Sequence, residues 1–292
     1  MTVTPTITQF CHQTWQLDSF IQLISKQDGN TYVVTERTPF HPVSHIWPDH
    51  PADQGHLEIA GKSISVDNCL VGAVEVATQQ LFIGDAIPVK RDAEGWVFVV
   101  VHCFQSDVDE LKVNESITWV VDKAYQQSLS RGHSAGHLAY LALNKVLAEG
   151  YWRKDADRKD PHGHHDFNSY AQVTSFVTED RCVDVYRLGK TLRKRGLNSA
   201  QMLEELTSIE SRVNDQLVSW LETKADVLMT CDGDSLTSSR YWSCDLAEGS
   251  VATIPCGGTH VNSLVEFESI QVSLIQLDEQ NIEMQTAVNE VN

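Results

Sequence analysis

Two short segments that lie far apart in the sequence carry side chains suited to binding zinc. His133 and His137 stand in the run His-Ser-Ala-Gly-His, and Cys256 and His260 stand in the run Cys-Gly-Gly-Thr-His, which begins 119 residues after His137. On a helix, the i, i+4 spacing of the first pair places both imidazoles on one face. Imidazole nitrogen and thiolate sulfur are the usual zinc ligands. The sequence therefore predicts one Zn²⁺ per chain, held by these four side chains.

The residue types around this site predict a metal that acts as a Lewis acid or activates water. Three neutral histidines and one thiolate leave the ion electrophilic, as the activation of water requires. Ser134 follows His133 where a His-Glu-x-x-His zinc protease has its general base, so a zinc-bound water is the expected nucleophile. Alternatively the ion orients the substrate, and a sphere of four protein ligands is also a mark of structural sites. The backbone N–H groups of Gly257 and Gly258 are candidate oxyanion donors, or these glycines only permit the turn toward His260.

The composition indicates a globular protein of the cytoplasm. The chain has 292 residues, of which 41% are apolar, and a formal net charge of −18. It has no apolar run long enough to span a membrane, and its N-terminus lacks the pattern of a secretion signal. Its seven cysteines are scattered and odd in number, which suits a reducing compartment better than a disulfide framework. We therefore expect a cytoplasmic protein without a membrane partner.

The negative charge argues against general binding of DNA or RNA, because the overall field repels phosphates. Residues 181–195 are a local exception, with six basic side chains and one acid. Any contact with RNA must therefore be local, and we expect it at five of these basic residues: Arg187, Lys190, Arg193, Lys194 and Arg195. A solvated helix face is the alternative interpretation of the same run.

The elements that must position these residues form two predicted domains. Residues 1–105 have the pattern of strands and turns, with a strong buried strand at 96–102. From about 117 to 147 the apolar residues recur every three or four positions, which predicts helix, with Gly132 as a point of division into two helices. A further helix is predicted at 199–223, and a short strand at 251–254 leads to Cys256. We therefore predict an α+β fold, with a β-rich domain at 1–105 and an α/β domain that holds the zinc site at 106–292.

Two loops rich in histidine are predicted to be solvated. Four of the eight prolines fall within residues 39–51, so the stretch that holds His41, His45 and His50 is predicted to be irregular. The run Pro161-His-Gly-His-His165 is predicted to be a flexible solvated loop rather than a second metal site.

Four motifs, in one order along the chain, together resemble the alanyl-tRNA editing family. They are Thr38-Pro-Phe-His-Pro42 followed by Pro51-Ala-Asp-Gln-Gly-His-Leu57; Val121-Asp122 followed by Arg131-Gly-His133-Ser-Ala-Gly-His137-Leu138; Ile209-Glu210 with Val213-Asn214; and Cys256-Gly-Gly-Thr-His260-Val261. This family comprises the editing domain of alanyl-tRNA synthetase and its free-standing relatives, and it is related to the second N-terminal domain of threonyl-tRNA synthetase. The resemblance covers residues 30–275.

The resemblance implies a barrel-like β-rich N-terminal domain beside an α/β editing domain. It implies zinc at His133, His137, Cys256 and His260, and hydrolysis in trans of the aminoacyl ester of mischarged tRNA(Ala), carrying Ser or Gly. It also implies an amino-acid pocket lined by Thr38, Phe40 and His50. Because the chain has no room for the aminoacylation domain, we do not expect it to charge tRNA.

The chain departs from the family in the loop at residues 43–50. This loop is three residues longer than in relatives and lacks glycine, and His50 stands where relatives have glutamine. Gly136 also stands where relatives often carry a larger residue, which would change the size of the pocket. Two other functions therefore compete with tRNA editing: a zinc hydrolase of a different small ester or amide, and a non-catalytic, zinc-stabilised binding protein.

Overall fold

The computed structural model describes residues 2–290, which form two compact units. The first contains the chain up to Gln126 together with Cys231–Arg240 and Gly257–Thr259. The second contains Gln127–Thr230, Tyr241–Cys256 and the chain from His260 onward. The division between residues 105 and 106 stays a prediction.

Strands predominate over helices in this mixed α/β protein. The strands are β1 (Ile7–Thr8), β2 (Gln16–Gln27), β3 (Asn30–Thr35), β4 (Arg37–Thr38), β5 (Gly55–Ile59), β6 (Lys62–Val66), β7 (Asn68–Glu75), β8 (Leu81–Ile83), β9 (Trp96–Phe104), β10 (Ser116–Val121), β11 (Gln172–Thr178), β12 (Arg181–Arg187), β13 (Val227–Cys231), β14 (Arg240–Cys244), β15 (Ala252–Pro255), β16 (Phe267–Gln276) and β17 (Asn281–Glu290). The helices are α1 (Lys123–Ala148), α2 (Phe167–Ala171), α3 (Lys190–Lys194), α4 (Ser199–Glu204) and α5 (Leu206–Leu221).

The first unit is built on an eight-stranded sheet in the order β6-β5-β10-β2-β3-β9-β7-β8. The predicted barrel-like domain is wrong in one respect, because within residues 2–290 the edge strands β6 and β8 do not pair and the sheet stays open. Strand β8 has only three residues and runs directly into a 3-10 turn at Gly84–Ala86, so it offers little edge for closure. The predicted strand at 96–102 is confirmed as β9.

The helix predicted from residue 117 begins later, at Lys123. Residues Ser116–Val121 form β10, in which Ile117, Trp119 and Val121 alternate as buried side chains. Three apolar residues with a spacing of two belong to a strand, and only the residues after them follow the helical period. The Asp122 carboxylate accepts a hydrogen bond from the Tyr125 N–H at 3.0 Å, which caps the helix.

Helix α1 is continuous over 26 residues, so the predicted division at Gly132 is wrong. A Cβ atom on Gly132 would lie 2.5 Å from the Arg181 carbonyl oxygen, and one on Gly136 would lie 2.9 Å from the Cys182 Sγ atom. Both glycines therefore allow the helix to approach β12 closely. Gly136 faces Cys182, so the close approach of α1 to β12 explains why glycine stands at this position. An effect of Gly136 on the size of a pocket stays a prediction.

Helix α5 is attached to β16 by the motif Ile209-Glu210 with Val213-Asn214. Ile209 and Val213 are fully buried, as the predicted apolar stripe requires. The Asn214 amide bonds both the N–H and the C=O of Val272 at 2.8 Å, and Glu210 accepts from the Leu274 N–H at 2.6 Å. The helix predicted at 199–223 is divided into α4 and α5 at Glu205.

Strand β16 is an edge of the antiparallel sheet β11-β12-β17-β16 of the second unit, and β13, β14 and β15 form a separate sheet. The predicted strand before Cys256 is confirmed as β15. Over residues 2–290 there is no helix whose length and apolarity would let it cross a membrane.

Candidate metal centre

The second unit brings the four predicted zinc ligands together. His133 and His137 lie one turn apart on α1 with 7% and 9% of their surface exposed, and Cys256 and His260 follow β15. One ligand atom from each of the four side chains lies within 4.8 Å of the others. Two segments separated by more than a hundred residues thus converge, as their residue types predicted.

The spacing of these atoms suits a tetrahedral zinc ion. The Cys256 Sγ atom lies 3.4 Å from His133 Nε2 and 3.2 Å from His260 Nε2. Zinc bonds of about 2.3 Å to sulfur and about 2.1 Å to nitrogen place neighbouring ligands about 3.5 Å apart in a tetrahedron. The His137 Nδ1 atom is buried and has no hydrogen-bond partner among the described residues, a costly arrangement that coordination at this nitrogen would relieve. The residues present therefore fit zinc.

A buried serine orients one of the ligands. The Ser134 Oγ atom lies 2.9 Å from His260 Nδ1 and accepts a hydrogen bond from the Val261 N–H at 3.2 Å. With His260 Nε2 turned toward Cys256, a proton on Nδ1 donates to Ser134 and fixes the ring. Sequence reasoning noted only that Ser134 is not the glutamate of a zinc protease.

Aromatic side chains shield the candidate ligands. The His137 ring lies 5.3 Å from Trp242 and 5.8 Å from Tyr140, measured between ring centroids. Burial lowers the pKa of His137 to about 3, so its imidazole is neutral, the form that binds a metal. Among the four side chains only the Cys256 thiolate would bring a negative charge, which leaves a bound cation electrophilic.

The two glycines between Cys256 and His260 differ in their surroundings. Gly257 is exposed, has no positive φ value, and a Cβ atom placed on it would meet nothing within 4 Å. The turn therefore does not require glycine at this position, contrary to the expectation from sequence. Gly258 is buried, and its carbonyl accepts a hydrogen bond from the Cys11 thiol at 3.9 Å. Their service as oxyanion donors stays a prediction.

The predicted pocket residues Thr38, Phe40 and His50 all lie in the first unit. Thr38 and Phe40 are fully buried: the Thr38 hydroxyl lies 2.8 Å from His102 Nε2, and the Phe40 ring packs edge-on against Trp119 at 5.5 Å. Thr38 and Phe40 would therefore shape a pocket only through the neighbouring side chains against which they pack.

His50 is buried and contacts the turn that follows Cys256. Its Nδ1–H donates to the Pro51 carbonyl at 2.8 Å, so its Nε2 carries the lone pair, and this atom lies 3.4 Å from the Thr259 hydroxyl. Burial lowers the pKa of His50 to about 4, which keeps the ring neutral. His50 thus presents a hydrogen-bond acceptor to the Thr259 hydroxyl.

The loop at residues 39–51 is more buried than predicted. His41 and His50 are 7% and 3% exposed, and their ring centroids lie 4.3 Å apart. The buried Asp53 carboxyl accepts hydrogen bonds from the His41 N–H at 2.7 Å and from Gln126 Nε2 at 2.6 Å. Burial raises the pKa of Asp53 to about 7. Sequence reasoning missed this cluster, and the only signal was the place of Asp53 in the motif after Pro51.

The histidines at 162–165 are held by their neighbours rather than solvated. Asp160 accepts from the backbone N–H groups of His162 and His164 at 3.0 and 2.9 Å, and His165 stacks on Trp152 with ring centroids 4.7 Å apart. Within residues 2–290 the group at His133 is the only cluster of at least three His, Cys, Asp or Glu ligands close enough to share a metal.

The predicted tRNA contacts lie on the surface of the second unit. Arg187 ends β12, and Lys190, Arg193 and Lys194 lie on α3, all four exposed. Arg195 is half-buried, with its guanidinium 4.4 Å from the centre of the Tyr170 ring.

The chain is similar in sequence to alanine–tRNA ligases. The ligase of Methanobrevibacter smithii is 20% identical over 270 residues, which cover 89% of this chain and 24% of the ligase. The ligase of Thermobifida fusca is 23% identical over 252 residues, covering 85% of this chain and 23% of the ligase. The ligase of Methanosarcina acetivorans is 28% identical over 124 residues, which cover 40% of this chain and 13% of the ligase. A scan against protein-family models finds no match.

The chain spans about a quarter or less of the length of the ligases it matches. The similarities to alanine–tRNA ligases confirm the resemblance that the motifs indicated.

Proposed function

We propose that this protein is a zinc-dependent hydrolase that edits mischarged tRNA(Ala) in trans in the cytoplasm. It would cleave the ester that joins serine or glycine to the terminal ribose. The observation that carries the proposal is the convergence of three imidazoles and one thiolate within 4.8 Å. The similarity to alanine–tRNA ligases supports a tRNA substrate over other esters.

One zinc ion is assigned to His133, His137, Cys256 and His260. When bound, it supplies Lewis acidity at the ester. Ser134 holds the His260 ring in the orientation that turns Nε2 toward Cys256. The N–H groups of Gly257 and Gly258 are assigned to the developing oxyanion, an assignment supported by the open space beside Gly257.

The amino-acid side of the substrate is assigned to Thr38, Phe40 and His50. Because Thr38 and Phe40 are fully buried, they act by packing, whereas His50 offers a neutral acceptor nitrogen.

Contact with tRNA is assigned to the local basic surface of the second unit. Arg187, Lys190, Arg193 and Lys194 are exposed there, against an overall charge of −18. Arg158 and Arg195 also line one surface hollow of about 670 Å³ beside Tyr170. Guanidinium groups suit phosphate, and an aromatic ring suits an unstacked base.

The test is a deacylation panel run on metal-assayed protein. Ser-tRNA(Ala) and Gly-tRNA(Ala) are compared with Ala-tRNA(Ala), for wild type, Cys256→Ser and the matched control Cys244→Ser. Cys244 is a buried cysteine of the same unit that is not part of the ligand cluster. We expect zinc content and deacylation to fall together in Cys256→Ser only. Full activity in metal-free protein would contradict the proposal.

A second candidate is a zinc hydrolase of a small ester or amide. The altered loop at 43–50 favours it, because Ile46 and Trp47 are 65% and 45% exposed at the place where the chain departs from its relatives. Turnover of model esters, with no cleavage of any mischarged tRNA in the panel, would select this alternative. Zinc binding with no turnover of either substrate class would indicate a non-catalytic, zinc-stabilised protein.

A further inference from the structure

A surface hollow of the second unit collects two guanidinium groups. The hollow has a volume of about 670 Å³ and is lined by Asp157, Arg158, Ser169, Tyr170, Thr191 and Arg195. All six residues belong to the second unit, and they come from three separate segments of it. The fold therefore brings together two cations that lie 37 positions apart in the sequence.

Hydrogen bonds and ring contacts hold the two guanidinium-bearing segments in place. The Arg158 N–H donates to the Tyr170 hydroxyl at 2.8 Å, and the Arg158 carbonyl accepts from the Asp166 N–H at 3.2 Å. The Arg195 guanidinium lies 4.4 Å from the centre of the Tyr170 ring, which adjoins the Trp152 ring at 6.3 Å between centroids. An aromatic face orients a guanidinium and limits its freedom before any ligand binds. A ligand would therefore meet a preorganised cation at Arg195.

Neither guanidinium is neutralised by a carboxylate. Elsewhere in the second unit, Arg212 pairs with Glu149. Among the ion pairs formed within residues 2–290, none involves Arg158 or Arg195. Arg195 lacks such a partner although it is half-buried. Both cations are therefore available to an anion from outside the chain.

The charge of this hollow distinguishes it from two other surface hollows. It has two guanidiniums and one carboxylate, that of the exposed Asp157. A hollow of about 460 Å³ in the first unit has two acids and one base, which are Asp18, Glu58 and Lys62. A hollow of about 520 Å³ in the second unit also has two acids and one base, which are Asp278, Glu279 and Arg187. In a chain with a net charge of −18, an excess of base within a concave surface indicates an anionic ligand.

We propose that Arg158 and Arg195 bind a phosphate monoester in this hollow. Two guanidiniums match the nearly two negative charges of a monoester at neutral pH, and their N–H groups suit its oxygens. The hydroxyls of Ser169 and Thr191 line the same hollow and can donate to further phosphate oxygens. An internal phosphodiester fits less well, because it carries one charge and its two ester links keep it at the rim.

Two sources can supply such a group: the 5′-terminal phosphate of tRNA, or a small free phosphate monoester. The first source rests on the proposed function, since it places the acceptor end of a tRNA against the second unit. It also agrees with the exposed basic side chains of Lys190, Arg193 and Lys194 on α3, which ends directly before Arg195. The binding of a phosphate monoester as such does not depend on the proposed function.

The direct test titrates ribose 5-phosphate against the zinc-loaded full-length protein and follows the phosphorus NMR signal. We expect wild type to bind, and Arg158→Ala and Arg195→Ala each to weaken binding about tenfold or more, because each loses a charge-assisted contact. The control is Lys90→Ala with Arg91→Ala, which removes two exposed cations from the first unit and should bind as wild type. Because Arg195 packs on Tyr170, the exposed Arg158 keeps the test valid if Arg195→Ala does not fold. No binding by wild type, or equal affinities of wild type and Arg158→Ala, would overturn the proposal.

A second measurement distinguishes the two sources. Filter binding compares tRNA(Ala) that keeps its 5′-phosphate with the same tRNA after dephosphorylation. If the 5′ end is the ligand, dephosphorylation should weaken binding about tenfold for wild type and leave the double variant of Arg158 and Arg195 unchanged. Equal affinities of the two tRNAs for wild type, together with binding of ribose 5-phosphate, would support the site with a small phosphate monoester as its ligand. The titration requires neither tRNA nor turnover, so failure of the phosphate site and failure of the proposed function are distinguishable.

Discussion

The Ser134 hydroxyl oxygen lies 2.9 Å from Nδ1 of His260, across a separation of 126 residues in the sequence. Ser134 is fully buried and stands directly after His133 on α1. The same helix therefore supplies two candidate zinc ligands and a hydrogen-bond partner for a third. Helix α1 therefore supplies half of the candidate ligands and also holds the ring of His260 in place.

Loss of the Ser134 hydroxyl should weaken zinc binding without removing a ligand. In Ser134→Ala we expect zinc affinity to fall about 10- to 100-fold, because His260 loses the group that fixes its ring and proton. Competition with a chromogenic chelator measures the affinity. Ser130→Ala, which removes a buried hydroxyl one turn earlier on α1, is the control and should stay near wild type. Equal affinities for all three proteins would show that Ser134 does not orient the ligand.

The buried carboxyl of Asp53 should make the protein less stable as the pH rises. Its pKa is about 7 in the folded protein against an ordinary value of 3.8, so the folded state binds more protons between these values. The stabilisation that the protonated Asp53 carboxyl contributes is complete below the pKa of Asp53 in the unfolded chain, and it is lost as the pH rises through about 7. Relative to Asp53→Asn, we expect the wild-type free energy of unfolding to fall by about 2 kcal/mol between pH 5 and pH 8.

Urea denaturation of the two proteins at a series of pH values measures this difference. The comparison with Asp53→Asn cancels the opposite contributions of the neutral His41 and His50, which both proteins share. Asp85→Asn, at an exposed position, is the control. Stability curves for wild type and Asp53→Asn that run parallel across the pH range would be incompatible with a raised pKa.

The two glycines of α1 should differ in whether their replacement can be rescued. Gly136→Ala places a methyl group 2.9 Å from Cys182 Sγ and should destabilise the protein by about 1–3 kcal/mol. Cys182→Ala removes the obstructing sulfur, so the double variant should recover much of the loss. Gly132→Ala meets the backbone oxygens of Arg181 and Thr178 and should not be rescued by any side-chain change. Denaturation midpoints test this, and additive effects at Gly136 and Cys182 would show that their contact is not the cause.

Charge reversal on α3 should weaken tRNA binding according to the number of phosphates that this helix neutralises. For Arg193→Glu with Lys194→Glu we expect lower affinity for tRNA(Ala) and a salt dependence of log K that is shallower by about two, close to one per phosphate. Filter binding at several salt concentrations measures both. Lys90→Glu with Arg91→Glu, an exposed pair of equal charge in the first unit, is the control. Identical salt slopes for the two variants would remove α3 from the tRNA contact.

The candidate ligands were predictable because their residue types and local spacing carry the signal. His133 and His137 needed only the helical period, and Cys256 with His260 needed only a short turn after a strand. The residues that were missed act through partners distant in sequence. Ser134 gives no local sign of its bond to His260, and Asp53 gives none of its burial beneath His41 and Gln126.

The errors in fold prediction have the same physical origin. In a short stretch of sequence, the spacing of Ile117, Trp119 and Val121 is compatible with a helix or with a strand. The segment becomes a strand because β10 pairs with both β2 and β5. Gly132 has the composition of a helix break, but its position against the Arg181 carbonyl makes it a packing residue. Whether the eight strands close into a barrel depends on the lengths of the edge strands, which no local pattern gives.

Zinc K-edge X-ray absorption of the purified protein tests the central claim most directly. The convergence of His133, His137, Cys256 and His260 predicts about one zinc per chain, with one sulfur at about 2.3 Å and three nitrogens at about 2.0–2.1 Å. A shell made only of oxygen and nitrogen, or protein that binds no zinc when it is supplied, would contradict the claim that these four side chains form one metal site.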